Sequence, residues 1–454
     1  MIRGCAGALI ACAVLAARPA AAQSVGGSCS TPGELTWGGY LLVCSDAGTY
    51  RYALHADVPP PPEGGYTERP AWFPPLRDVF RATSPPECPV SGRVTFTHPV
   101  VRVQDLLPII PQGAMIGDHV TPIDHGYFGI TPLGKPRASR TDADYIPVYA
   151  PADAEVLEIS TLGSPRSIRI VLAHGCETYS VYMVLNRLSG ALAHLQDDLL
   201  ATGRLDPRLR LLAGTEFAEG RDNPPDFSVH DGSTWLAGFL SPFSYTSSDS
   251  WKPYTVDPWP YFSPDLAAAY ESRMQRLAAP RWGRIDYDVA GTASGNWFLS
   301  GTVGYSGRLE ADFRTTERLY GGVVPGKASY AWSHLAIAPH QVQAGKWIFS
   351  IGWWSDSRGD PRQFLIEVRA GQPLPSALTP GSGVVVYRLW TWMQATSGGE
   401  SPQPIGYDIT PARVQGLAAI QVHTDGTLSV EVVPGTEDPA AFRGFTAAKR
   451  TYRR

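Results

Sequence analysis

The sequence predicts a mainly β protein, and three observations carry that reading. Glycine (46) and proline (41) are both abundant among 454 residues, and aromatic side chains make up 11%. Short runs rich in valine, isoleucine, tyrosine and tryptophan recur between turn-forming clusters, as at 167–173, 346–354 and 383–392. That is the pattern of strands joined by tight turns. Long helical periodicity is rare. The clearest helix is predicted at 263–278, where Asp265 in the first turn suits the helix dipole and Pro280 marks the end.

Along the chain, residues 1–22 come first. Arg3, a short apolar run and the small residues Ala20, Ala21 and Ala22 make this segment a secretory signal peptide, cut after Ala22. Leu9-Ile10-Ala11-Cys12 also fits a lipobox, so a membrane becomes a partner only if Cys12 is lipidated. No later stretch approaches the ~20 apolar residues of a membrane span. The expected location is the periplasm or the cell exterior. Residues 23–56 read as a small disulfide-supported β module, with two strand-like runs around a Ser-Asp-Ala-Gly turn. Cys29, Cys44, Cys88 and Cys176 are the cysteines beyond the leader, an even number that reads as disulfides in an exported chain. Four cysteines allow three pairings. Cys29–Cys44 is preferred because the two bracket the module, which leaves Cys88–Cys176.

Residues 57–87 are proline-rich and are expected to form an extended, semi-rigid linker with few contacts. Residues 88–280 hold the next β region. Its segment VYAPADAEVLEI reads as a hairpin around Pro-Ala-Asp-Ala, followed by the strand pair SIRIVLA and TYSVYMVL. Residues 281–454 hold a second β-rich region, in which Thr424-Asp425-Gly426-Thr427 is a hairpin turn. Strands at this spacing suggest a β-sandwich-like domain or an open barrel. Almost no linker separates the two large regions, so they are expected to pack as one unit.

Composition and motifs narrow the function. A net charge of −4 leaves no electrostatic footprint for nucleic acid. There is no G-x-S-x-G elbow and no phosphate loop. Asp286 and Asp288 share one strand face, which suits a glycosidase pair or, more simply, calcium ligation or solvated turn ends. Trp297, Trp353, Trp354, Trp390 and Trp392 form either a glycan platform or ordinary core.

Three segments stand out: DHGYFGI at 124–130, IPVYAPADAEVLEI at 146–159, and IRIVLAHGCETYSVYMVLNRLSG at 168–190. With PPDFSV at 224–229 they resemble the core of the lysostaphin/LytM-type zinc endopeptidases, which cut peptidoglycan cross-bridges. The resemblance covers roughly 150 residues and implies a β domain with a three-ligand zinc site and an activated water. The family supplies a His-x3-Asp pair, a Tyr-x-His-Leu segment and a His-x-His strand. Here His125 matches the first ligand, but Gly129 stands where the acidic ligand belongs. Val184 takes the catalytic histidine's place, and Asp226 takes that of the second strand histidine. The family pattern is therefore degenerate at its catalytic positions.

The resulting expectation is an exported cell-envelope protein with a non-catalytic metallopeptidase-like domain. It would bind a peptidoglycan peptide or a protein partner and need no cofactor, with Asp124, Tyr127 and His230 shaping the groove. The first alternative is a divergent zinc endopeptidase, with His125, Asp226 and His119 as ligands. Asp226 and His230, four apart on a strand, would sit about 13 Å apart and could not share one ion. The second alternative is a glycan-binding surface protein using the C-terminal tryptophans.

Overall fold

The computed structural model describes residues 23–80, 93–175, 177–313, 330–354, 360–394 and 409–454. The leader with Cys12, and both Cys88 and Cys176, lie outside the described residues. The chain is mainly β, and no described helix is long and apolar enough to cross a membrane.

The N-terminal module is a three-stranded antiparallel sheet of β1 (Leu35–Trp37), β2 (Leu41–Cys44) and β3 (Tyr50–Tyr52). Cys29 and Cys44 are disulfide-bonded, with Cα atoms 5.8 Å apart. Alternation along β2 buries both faces. Leu42 and Cys44 pack towards Val303, while Leu41 and Val43 pack against Phe243. The module thus sits on the large regions rather than apart from them.

The proline-rich segment departs from expectation in the same way. Phe73 and Leu76 are fully buried, the latter at the start of the one-turn helix α1 (Leu76–Val79). They cover one face of the large sheet through Leu157, Val171, Tyr179 and Val181. Trp235 Nε1 donates to the Tyr66 carbonyl at 3.1 Å, and the Tyr254 hydroxyl donates to that of Pro74. Each buried side chain of this size is worth roughly 1.5–3 kcal/mol, so the described part of the linker is a structural strap. Proline density indicates extended backbone, but the aromatics between the prolines decide that it docks.

The middle region opens with β4 (Leu106–Ile110), β5 (Gly126–Ile130), β6 (Ile146–Tyr149), β7 (Ala154–Thr161), β8 (Ile168–Ala173) and β9 (Thr178–Leu185). It continues through β10 (Arg187–Leu188), helix α2 (Gln196–Thr202), β11 (Arg204–Leu205), β12 (Arg210–Leu211) and β13 (Glu216–Gly220). Then come β14 (Asp226–Asp231), β15 (Thr255–Val256) and helix α3 (Pro264–Glu271). Nine strands form the large antiparallel sheet, in the path β11-β7-β8-β9-β14-β5-β4, with β12 on β7 and β15 on β14. A second sheet, β10-β13-β6, packs on one face. Between them lie Val156, Ile170, Tyr182, Phe227 and Phe128 from the large sheet, and Val148 and Phe217 from the small one.

Two local expectations are corrected here. VYAPADAEVLEI is not a hairpin, because β6 pairs with β13 and β7 with β8, so the chain crosses from one sheet to the other. The Pro151 carbonyl accepts from the amides of Thr97 and His98, and Ala150 and Ala152 are buried in the core. The helix at 263–278 ends at Glu271. Beyond it the backbone bridges to the edge strand instead: Ile109 N donates to Arg273 O at 2.8 Å and Gln275 N to Ile109 O at 2.9 Å.

The C-terminal region is a closed eight-stranded barrel, not a sandwich. Its strands are β16 (Gly295–Leu299), β17 (His334–Pro339), β18 (Trp347–Ile351), β19 (Arg362–Glu367), β20 (Val385–Gln394), β21 (Ile409–Val422), β22 (Leu428–Pro434) and β23 (Arg450–Arg453). Each pairs antiparallel with the next, and β23 closes on β16 through Phe298↔Arg453 and Leu299↔Tyr452. Sandwich and barrel share the same alternation along each strand; only this long-range pairing separates them. Side chains such as Trp297, Phe349, Phe364, Tyr387 and Tyr452 fill the interior. The turn at Asp425-Gly426 is a hairpin as expected, with the Thr427 amide bonded to Asp425 Oδ1 at 3.0 Å.

The barrel packs directly on the middle region. Met115 inserts among Ala336, Ala338, Ile348, Leu365 and Trp392 on the barrel's outer face. Gly117 and Gln363 exchange two hydrogen bonds, at 3.2 and 3.0 Å. Arg276, buried, donates to the Gln341 carbonyl at 2.9 Å.

Candidate functional site

Strand alternation sets the site. In β14 the residues Phe227 and Val229 face the main core, which sends Asp226, Ser228 and His230 to the opposite face. In β5 Phe128 and Ile130 face the core, which leaves Tyr127 beside Asp226, its cross-strand partner. His125 stands just before β5, at the same end.

His125 and Asp226 meet there, with Nε2 3.3 Å from Oδ2. This is a close ionic contact without hydrogen-bond alignment: neither His125 Nε2 nor Asp226 Oδ1 has a hydrogen-bond partner among the described residues. On the other side of the ring, Nδ1 lies 3.1 Å from Asp124 Oδ1. The Asp124 Oδ2 accepts from Trp251 Nε1 at 2.6 Å. The ammonium of Lys252 lies 3.7 Å from Asp124 Oδ1 and 3.8 Å from Asp249 Oδ2, and 5.0 Å above the Tyr305 ring. Lys252 is only 2% exposed. The Tyr127 ring stands edge-on to His125 at 5.3 Å, and the His119 ring at 6.0 Å.

Burial and charge divide the protonation states. Burial pushes the Asp226 carboxyl up to about 6, against the pull of His125. For His125 burial acts downward, but Asp226 and Asp124 together outweigh it and hold the imidazole above its usual value. Burial also opposes ionisation of Asp124, yet Lys252 and His125 keep it well below the ordinary carboxylate range. His119 is pushed down to about 3 by burial, then by His125 and Lys252, and is neutral. Tyr127 is driven well above its normal value by burial and by the two aspartates. An ion pair at 4 Å gains about 4 kcal/mol at an effective dielectric of 20. Removing each ion from water costs several kcal/mol. The cluster therefore specifies position more than it adds net stability.

His230 stands apart. Its Nε2 meets Ser228 Oγ at 2.9 Å and its Nδ1 meets Thr255 Oγ1 at 3.2 Å, and burial pushes it down to about 4. It is a satisfied core histidine, as is His174, held by Ser180 at 2.7 Å and by the Asp153 carbonyl at 3.1 Å.

Among the described residues these donors do not make a three-ligand zinc set. His125 Nε2 and Asp226 Oδ1 are two orphaned atoms that suit a metal, but a zinc centre needs a third protein donor. Among the described residues no group of three His, Cys, Asp or Glu side chains is placed to hold a metal. Gly129 has no room for the missing ligand, since a Cβ there would lie 2.6 Å from the Pro108 carbonyl oxygen. Val184 sits in an irregular part of β9 with φ 54°, a left-handed backbone that β-branched residues avoid.

Sequence reasoning missed Lys252, Trp251 and Asp249. They come from a Ser-, Pro- and aromatic-rich segment with no motif, and only a lysine among aromatics hinted at burial. Of the five tryptophans weighed as a glycan platform, Trp297, Trp354 and Trp392 are buried. Trp353 lies under the Arg450 guanidinium at 4.0 Å, and Trp390 donates to Glu367 at 3.1 Å. Asp288 is a turn organiser, accepting the amides of Asn296 at 2.7 Å and Leu240 at 3.0 Å. Asp286 is held by Arg284 Nε at 3.1 Å. Comparison with protein-family models, with curated proteins and with solved structures finds no match.

Proposed function

We propose that this is an exported cell-envelope protein whose middle region is a degenerate lysostaphin/LytM-type domain acting as a non-catalytic binding module. Its ligand class is a peptidoglycan peptide or an envelope protein. The observation that carries this reading is the buried contact of His125 with Asp226. The two side chains that match metal-ligand positions of the family touch each other, where an enzyme of that type would hold an ion and a water. Gly129 and Val184, at two other family positions, carry no group able to bind a metal or move a proton.

The orphaned Nε2 of His125 and Oδ1 of Asp226 favour one second reading, a divergent zinc endopeptidase with a further donor. One assay separates the two. Purified sacculi are incubated with the protein, with and without added zinc, beside a His125→Ala variant. Co-sedimentation without release of muropeptides is the expected result. Zinc-dependent release that the variant loses would replace the binding-module reading with the peptidase.

A further inference from the structure

A cleft of about 510 Å³ opens between the large sheet and the segment that leads into the barrel. Its floor is a close crossing of two backbones. A Cβ at Gly113 (φ +91) would lie 2.3 Å from Arg284 O, and one at Gly283 (φ +85) would lie 2.4 Å from Gln112 O. Only glycine fits both places, which fixes how closely the two segments cross. The volume falls within the roughly 300–1,000 Å³ usual for small-ligand sites, which favour domain junctions.

The lining carries acceptors in need of donors. Gln112 is 5% exposed, and its Nε2 donates to Gly283 O at 3.4 Å, while its Oε1 has no partner among the described residues. A buried acceptor left bare costs about 1–3 kcal/mol, which a ligand donor would recover. Asp257 accepts the Trp259 amide through Oδ1 at 3.0 Å. Burial above all raises the Asp257 carboxyl, with the Trp259 amide and Arg93 pulling it back. The lining also carries cations. Arg93 lies over the Tyr261 ring at 4.1 Å, and Arg284 bonds Asp286 through Nε at 3.1 Å. Val256 and Ile285 add apolar wall between the charges.

A lone cation would face two guanidiniums there, and a lone anion two carboxylates. A molecule carrying both charges on a short hydrocarbon and amide frame complements Asp257, the bare Gln112 acceptor and the guanidiniums, while Asp286 keeps its bond to Arg284. We infer that this cleft binds a small zwitterion of the free-peptide class, the ammonium against Asp257 and Gln112 and the carboxylate against the arginines. The proposal uses none of the His125 cluster and does not rest on the reading of that site.

Isothermal titration calorimetry of the full mature chain tests it, with alanyl-alanine as probe beside its N-acetylated, C-amidated form. Saturable binding of the free dipeptide is expected. Blocking both termini should weaken it about tenfold or more, the size of losing charge-assisted hydrogen bonds. Gln112→Leu and Asp257→Asn should each weaken it by a similar factor. Equal binding of free and blocked dipeptide would overturn the proposal, as would no saturable heat with the free form. The blocked-ligand arm needs no variant, so it decides even if a substitution unfolds the protein. Sacculus binding without dipeptide binding sinks this proposal alone; dipeptide binding without sacculus binding sinks only the envelope-binding reading.

Discussion

Replacing His125 by alanine tests the central contact most directly. In the native protein Asp226 is 4% exposed, and the His125 imidazole is its nearest counter-charge, 3.3 Å away. Removing the ring leaves a buried carboxylate whose Oδ1 already lacks a partner among the described residues. Breaking a buried pair from one side typically costs about 3–5 kcal/mol, and that loss is expected at pH 7.5 by urea denaturation. The cost should shrink in acid. Burial pushes Asp226 up to about 6, above the 3.8 of a free carboxyl, so the folded state binds more protons than the unfolded state between those values. Its contribution to stability therefore falls as pH rises from about 4 to about 6 and stays low above. Without His125 the carboxyl rises further, which widens the gap at pH 7.5 and lets protonation relieve it at pH 5. Adding Asp226→Asn to the variant should restore about 1–3 kcal/mol at pH 7.5, the range of coupled neighbours. A single variant costing under about 1 kcal/mol, or a double variant no better than the sum of its parts, would show that the two groups do not form a buried ionic contact.

Other outcomes follow from individual positions. Gly129→Asp should not rebuild a zinc site and should destabilise by about 1–3 kcal/mol, because its Cβ would lie 2.6 Å from Pro108 O; wild-type stability together with zinc uptake would contradict this. Val184→Asn should raise stability by up to about 1–2 kcal/mol, since the left-handed backbone at φ 54° penalises valine more than asparagine; an unchanged or lower melting temperature would refute the strain. Phe73→Ala should cost about 3–5 kcal/mol and make the proline-rich strap cleavable by protease; rapid cleavage of the native chain within 66–78 would show that the strap does not dock. Peptide mapping under non-reducing conditions should recover Cys29 joined to Cys44, and reducing this 15-residue loop should cost about 3 kcal/mol.

Local chemistry was legible in the sequence where it repeats along one strand. The β8–β9 pair, the Asp425-Gly426 turn and the Cys29–Cys44 bond all follow from alternation, turn residues or bracketing. His125 and Asp226 were singled out together because each matches a ligand position of one family, and the structure places them in contact. What stayed hidden depends on partners far away in the chain. Lys252 reaches Asp124 across a separation no motif spans, and the hairpin reading of VYAPADAEV failed because Ala150 and Ala152 carry no sign of which sheet each flank will join.

The sequence by itself determined that strands dominate, where the turns fall, and that no catalytic imidazole or acidic ligand stands at 184 or 129. These are properties of side chains and of their spacing, and they hold whatever the chain packs against. Tertiary structure alone decided that the last region closes into a barrel, that the proline-rich segment is a strap, and that His125 is sealed beside a buried lysine. Closure rests on pairing residues 295–299 with 450–453, and sealing rests on which surfaces meet. Such contacts are set by complementary shape and desolvated area between distant segments, which a local pattern does not encode.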